Sequence, residues 1–397
     1  PVAYLILKAT IEYPQRYGLP PSFLPRGRGR ELAADVRRWG EWVLAQARRE
    51  LQAFYPPGPG GETVVAYIWS RTIRCPNPNC GAEIPLFRQF WLARKPNKKV
   101  ALHPVVDREA KQVDFVVREG EALEAAMNGG FDPSQGTVAR ANARCLVCHT
   151  AAADKYVRQE AKEGRMGHRL VALVTTHGKG SGRNYHIARP EDREAFEKAA
   201  RRLAELQTQP SPWPGGLPWV PEEPARLVGA GQQQSVDASY GFLNWGKFFN
   251  PRQLLALVTF GRWVREAIRA VQQETGDPDY AKAVGTYLAF VFDFLLNNTS
   301  LLCSWHVTGE KMRTTFAGHH LHMVWDYAEV NPFSDTTGNW QAGVDWVSKV
   351  IEREAKVGGK GNAYWTSANA LPYPDASLDA IITDPPYYDN VPYADLS

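Results

Sequence analysis

The sequence predicts an α/β chain with a β-rich insertion between two regions of helical, apolar-faced character. Three observations predict it. A helix-period stretch before residue 62 gives way from Thr63 to short β-rich runs broken by turn residues. Four of the five cysteines fall in those runs, as two closely spaced pairs. The end of the chain alternates strand, turn and strand and closes on Asp384, as the carboxyl edge of a ligand-binding parallel sheet does.

The elements are justified in order. Glu31 to Tyr55 reads as a helix because Leu32, Val36, Trp39, Val43 and Leu51 fall on one face. "PPGPGG" ends it, since neither helix nor strand crosses that run. "TVVAYIWSRTIRC", "FRQFWLARK", "KKVALHPVV" and "QVDFVVREG" then read as strands. A helix is expected from Asp154, a strand at "HRLVALVTT", and a charged amphipathic helix at Glu191 to Leu206. Residues 208–240 hold too much Pro and Gly for regular structure and read as a linker. Helices follow at Pro251 to Thr275, Asp279 to Asn297 and Val344 to Ala355. Strands are expected at Tyr364 to Ser367 and at "AIIT", Ala380 to Thr383. The domains expected are a helical region 1–62, a β-rich insertion 63–207, the linker 208–240, and helices with a final α/β half, 241–397.

Composition excludes little. Hydrophobic residues at 44%, charged residues at 22% and a net charge of +4 permit a nucleic-acid partner without requiring one. No apolar run reaches the ~20 residues of a membrane span. The nearest, Val284 to Leu296, contains Asp293. Without a signal-peptide pattern, five cysteines suggest a reducing, cytoplasmic setting in which thiols serve metals more often than disulfides.

Cys75 and Cys80 bracket "PNPN", and Cys145 and Cys148 bracket "LV". Two thiolate pairs in tight turns of separate β-hairpins can close a tetrahedral all-thiolate zinc site. Four thiolates leave no open coordination position, so the expected role is structural. The alternative is two unrelated pairs of reduced thiols. Cys303, in the apolar "SLLCSW", reads as a core thiol.

Asp384-Pro385-Pro386-Tyr387 resembles the catalytic motif of amino-methyltransferases that modify adenine N6 or cytosine N4 in DNA. The chemistry explains the residue types. The lone pair of an exocyclic amine is delocalised into its ring. Asp384 and the Pro385 carbonyl would each accept a hydrogen bond from that amine and favour a tetrahedral, nucleophilic nitrogen. Pro385 and Pro386 stiffen the turn. Tyr387 offers a face to a base flipped from the duplex.

The segments "VAYIWSRTIRCPNPNCGAEIPL", "MVWDYAEVNPFSDTTGNW" and "ITDPPYYDNVPYADLS" resemble a narrower family, the bacterial and archaeal DUF1156-type adenine-specific DNA methylases. These carry a zinc ribbon and often accompany phage-defence genes. The resemblance spans Pro1 to Ser397. It implies a partial Rossmann-like core that uses S-adenosylmethionine, with the zinc ribbon inserted. It implies double-stranded DNA with a flipped adenine as substrate, other phage-defence proteins as partners, and no membrane. In that family a glycine-rich cofactor loop precedes a segment that Pro1-Val2-Ala3 matches, and the chain continues past the final "YADLS". The sequence therefore resembles an interior piece, expected to be inactive by itself. The resemblance places Ser367 and Asn369 near the cofactor's adenine. A polar strand end bonding its own turn is the alternative for both. Phe249, in "GKFFNPRQLLAL", is placed against the cofactor, with helix packing as the alternative.

Arg71, Arg74, Arg88, Arg94, Lys95, Lys98 and Lys99 crowd the first cysteine pair, with Phe87, Phe90 and Trp91 interleaved. This pattern suits nucleic-acid recognition, although aromatics in the core and charges in solvent would produce it too. Lys179 and Arg183 on "HGKGSGRNYH" are a second candidate phosphate contact. His319, His320 and His322 read as structural rather than metal-binding, and Trp325, Asp326, Glu329 and Asn331 as a group shaping a base or cofactor pocket. Two rivals to a DNA methyltransferase stay open. One is a tRNA guanine-N2 methyltransferase, in which a glycine, not Tyr388, usually follows the motif. The other is a non-catalytic zinc-ribbon module that binds nucleic acid.

Overall fold

The computed structural model describes residues 2–18, 31–178, 180, 182–225, 238–317, 321–336, 338–357, 361–367 and 369–384. Helix α1 (Val2–Leu7) passes through a π-helical turn into α2 (Tyr13–Tyr17), and α3 covers Leu32–Leu51. Strands β1 (Thr63–Arg74), β2 (Glu83–Leu86), β3 (Trp91–Lys95), β4 (Lys98–Asp107) and β5 (Gln112–Glu119) precede α4 (Gly120–Asn128). Three short strands, β6 (Val138–Ala139), β7 (Asn142–Arg144) and β8 (Ala151–Ala152), lead to α5 (Asp154–Lys162). Then come β9 (Gly167–Thr176), β10 (Asn184–Ile187) and α6 (Pro190–Gln207). The long helices α7 (Pro251–Thr275) and α8 (Pro278–Asn297) are followed by the hairpin β11 (Ser304–His306) and β12 (Lys311–Arg313). Strand β13 (Asp326–Val330) and α9 (Trp340–Glu354) come last.

The architecture is mixed α/β around a curled antiparallel half-barrel sheet. Its order is β10-β9-β1-β13, with β2 paired to the far half of β1. Strand β1 is buried from Val64 to Ile73, because both of its faces are covered. Val64, Tyr67 and Trp69 pack into a helical core; Val65, Ala66, Ile68 and Ile73 pack into the β module on the other side. Val65 and Ala66 share a side because the pairing with β9 shifts there, and the unpaired Val65 breaks the two-residue alternation.

Helix α3 buries the five residues that its period predicts. Its approach to α9 is close: a Cβ at Gly40 would meet Val344 at 2.6 Å, and Trp340 donates its indole N–H to the Gly40 carbonyl at 2.8 Å. Asn250 caps α7 reciprocally with Gln253, and Gly276 ends it in the left-handed conformation at φ 65°. Among the described residues no helix is long and apolar enough to cross a membrane.

The Rossmann-like part of the expectation is not seen. Every strand pairing among the described residues is antiparallel. Helices α7 and α8 pack as a hairpin with a short connection instead of returning the chain to a parallel strand. The strands expected at 364–367 and 380–383 do not form. A strand needs a neighbour for its N–H and C=O groups, and here Trp365 is 72% exposed and Ile382 95%. The described part of the expected linker is largely exposed and holds no α-helix or strand, but two tryptophans anchor it. Trp213 and Trp219 lie against the helical core, and the Trp213 indole N–H donates to the Trp219 carbonyl at 3.3 Å.

Candidate metal centre

The two cysteine pairs converge. Cys75 follows β1 and Cys80 precedes β2 in one hairpin turn; Cys145 follows β7 and Cys148 precedes β8 in another. Each turn is tightened locally. The Cys80 N–H donates to the Asn77 carbonyl at 2.9 Å, and Gly81 takes φ 61°. The His149 N–H donates to the Cys145 carbonyl at 3.0 Å, and His149 takes φ 62°. Sulfur–sulfur distances are 3.5 Å for Cys75–Cys148 and 3.9 Å for Cys80–Cys145, and all four sulfurs lie within 4.8 Å of one another. A tetrahedron with zinc–sulfur bonds of about 2.3 Å puts its sulfurs about 3.8 Å apart. The residues fit a structural zinc ion.

Electrostatics agrees. Hydrogen bonds from the Thr150 side chain and backbone lower the Cys148 thiol to about 6, whereas burial pushes Cys75 up to about 12. Burial also raises Cys145. Packed thiols of this kind ionise together only around a cation. Cys303 is not among the four; it is buried near Ser300 and Thr315, as a core thiol.

The predicted basic contact residues divide into two groups. Lys95 and Lys98 both donate to Glu310, the latter at 2.9 Å, and Lys98 also donates to the Arg183 carbonyl. Burial would raise the Glu310 carboxyl, but hydrogen bonds from Lys95, Lys98 and Tyr185 outweigh it and hold the group below its ordinary range. Two predicted phosphate contacts are thus engaged inside the protein. Arg88, Arg94 and Lys99 are exposed, while Arg183 is half-buried, and Lys179 lies outside the described residues. Phe87, Phe90 and Trp91 are core residues, the packing alternative of the sequence reading.

Of the tetrapeptide, Asp384 is described and exposed; Pro385, Pro386 and Tyr387 lie outside the described residues, as do His319 and His320. Ser367 and Asn369 are exposed, and the Ser367 hydroxyl accepts the Asn369 N–H at 3.2 Å, the turn-bonding alternative. Phe249 lines an apolar groove with Trp219, Leu254 and Phe292. Ser367 and Asn369 are not among the lining residues of that groove.

The polar group of β13 has definite tasks. Glu329 is fully buried and accepts from Arg252, Asn250 and Trp69. The Asn331 amide donates to the Val64 carbonyl at 2.9 Å. Asp326 accepts the Arg88 N–H at 3.1 Å, and burial lifts its carboxyl to about 7. Arg252 and Glu310 were not singled out from sequence. An acid inside the apolar strand "YAEV" was the available signal, since a buried carboxylate requires a cation.

No family model matches the chain, and neither does any curated protein or solved structure.

Proposed function

We propose that the chain belongs to an S-adenosylmethionine-dependent DNA methyltransferase modifying adenine N6, in a phage-defence or restriction-modification setting. The observation that carries the reading is the sequence Asp384-Pro385-Pro386-Tyr387. An exposed Asp384 is open to accept a hydrogen bond from a target amine, with the Pro385 carbonyl as second acceptor and Tyr387 as stacking face. The zinc-fitted thiolate centre supports the resemblance to zinc-ribbon methylases. Ser367, Asn369 and Phe249 add no support on the cofactor side, so the proposal rests on the target side alone.

The second reading is a non-catalytic zinc module that binds nucleic acid. It is favoured by the contrast between the packed thiolate centre and an Asp384 that no strand supports. The experiment supplies labelled S-adenosylmethionine to the complete gene product, with unmodified double-stranded DNA and tRNA in separate reactions. Label at adenine N6 of DNA supports the proposal. Label in tRNA transfers it to guanine N2 chemistry. DNA binding without label leaves the non-catalytic module.

A further inference from the structure

Between the β2–β3 connection and the β11–β12 hairpin lies a groove of about 730 Å³. This lies within the range of pockets that enclose small organic ligands. Its lining includes Arg88, Arg313, His306, Ser304, Trp305 and Asp326. Behind it, buried Arg71 donates to the Val324 carbonyl at 2.9 Å and the Leu301 carbonyl at 3.4 Å, tying together segments that carry the lining.

Lys95 and Lys98 share Glu310, and Arg169 pairs with Glu83 and Asp114. By contrast, Arg71, Arg88 and Arg313 form no ion pair with a carboxylate among the described residues. Asp326 is the acid that lines the groove, and burial raises its carboxyl to about 7. Burial and the charges of Arg313 and Lys311 lower His306, so it adds little positive charge. The groove therefore presents guanidinium groups to an anion at two positions and a carboxyl to a hydrogen-bonding edge.

We propose that this groove binds one nucleotide, its phosphate on Arg88 and Arg313 and its base edge on Asp326. Guanidinium forks match phosphate oxygens bidentately. A protonated carboxyl offers one donor and one acceptor, the complement of the adenine N1 and N6 edge. Trp305 supplies an indole wall, its own N–H already given to the Leu92 carbonyl at 2.9 Å. The same chemistry accepts a free nucleotide or one nucleotide of a strand. The inference rests on the nucleic-acid reading above, but not on methyl transfer.

The test titrates the full chain with dAMP, inorganic phosphate and a short single-stranded DNA, following tryptophan fluorescence. The Arg88→Ala/Arg313→Ala double variant is expected to weaken dAMP and DNA binding by about tenfold or more. Asp326→Leu should weaken dAMP while leaving phosphate unchanged, and Asp326→Asn, which keeps one donor and one acceptor, should retain dAMP binding. Both arginines are exposed, so the double variant should keep the wild-type melting temperature, which is checked alongside. DNA binding stronger than that of dAMP and lost in the double variant supports a strand as the natural source. Tight dAMP binding with no DNA binding supports a free nucleotide. Equal binding by wild type and double variant, or no dAMP binding at all, overturns the groove. Nucleotide binding without methyl transfer sinks only the enzyme reading. Methyl transfer with unchanged KM in the double variant sinks only the groove.

Discussion

The Arg252 guanidinium donates to the Glu329 carboxylate at 2.7 Å through Nε, and both side chains are fully buried. The pair joins the first turn of α7 to β13, and Asn250 and Trp69 complete the carboxylate's hydrogen bonding. Arg252 also lies 3.9 Å over the ring of Tyr67. Removing one partner leaves an uncompensated buried charge. Glu329→Ala should therefore cost about 3–5 kcal/mol in urea unfolding. The double variant Arg252→Met/Glu329→Leu should cost less than either single change. A loss under 1 kcal/mol for Glu329→Ala would show the pair to be solvated.

Purified protein should carry about one zinc ion per chain. Cys75→Ser or Cys148→Ser should release it and lower the melting temperature, because binding energy at such sites is folding energy. Retention of stoichiometric zinc in a Cys75/Cys80/Cys145/Cys148 quadruple serine variant would contradict the assignment.

The basic residues should separate by experiment as they do in the structure. Lys98→Glu places an acid beside buried Glu310 and should destabilise on the order of 2 kcal/mol, between exposed and buried pairs. Arg94→Glu/Lys99→Glu should leave the melt unchanged and, where these residues contact phosphate, reduce the salt slope of DNA binding by up to about 2. An unchanged slope and affinity would make them a solvated face.

Asp326 gives a signed pH dependence. Burial raises its carboxyl from 3.8 to about 7, so between those values the folded state binds the proton that the unfolded state has lost. Stability contributed by this group is therefore highest at low pH and falls as pH rises through that window. Asp326→Asn removes the dependence, so the wild type should lose stability relative to the variant between about pH 4 and pH 7. A constant difference across that range would show that the carboxyl titrates normally.

Legibility in the sequence followed the range of the interactions. Helix α3 was readable because Leu32, Val36, Trp39, Val43 and Leu51 carry its period by themselves. The cysteine pairs were readable because each ligand turn is local, although Cys75 meets Cys148 across 73 residues. Strand β13 was missed as a strand because its acids, Asp326 and Glu329, mask its pattern. What permits Glu329 in a core is Arg252, 77 residues away. Lys95 and Lys98 read as free charges because their partner Glu310 lies 215 and 212 residues on. The terminal strands failed for the converse reason. "AIIT" has strand character, but a strand exists only with a neighbour, and none pairs with it among the described residues.

The most direct measurement is methyl transfer to unmodified double-stranded DNA by the complete gene product, wild type against Asp384→Ala. Under the proposed reading the substitution removes one of two acceptors for the target amine, and Asp384 is exposed, so folding and zinc content should be unaffected. The account predicts loss of transfer by about a hundredfold or more, with DNA binding and the melt unchanged. Transfer at the wild-type rate in Asp384→Ala would contradict it.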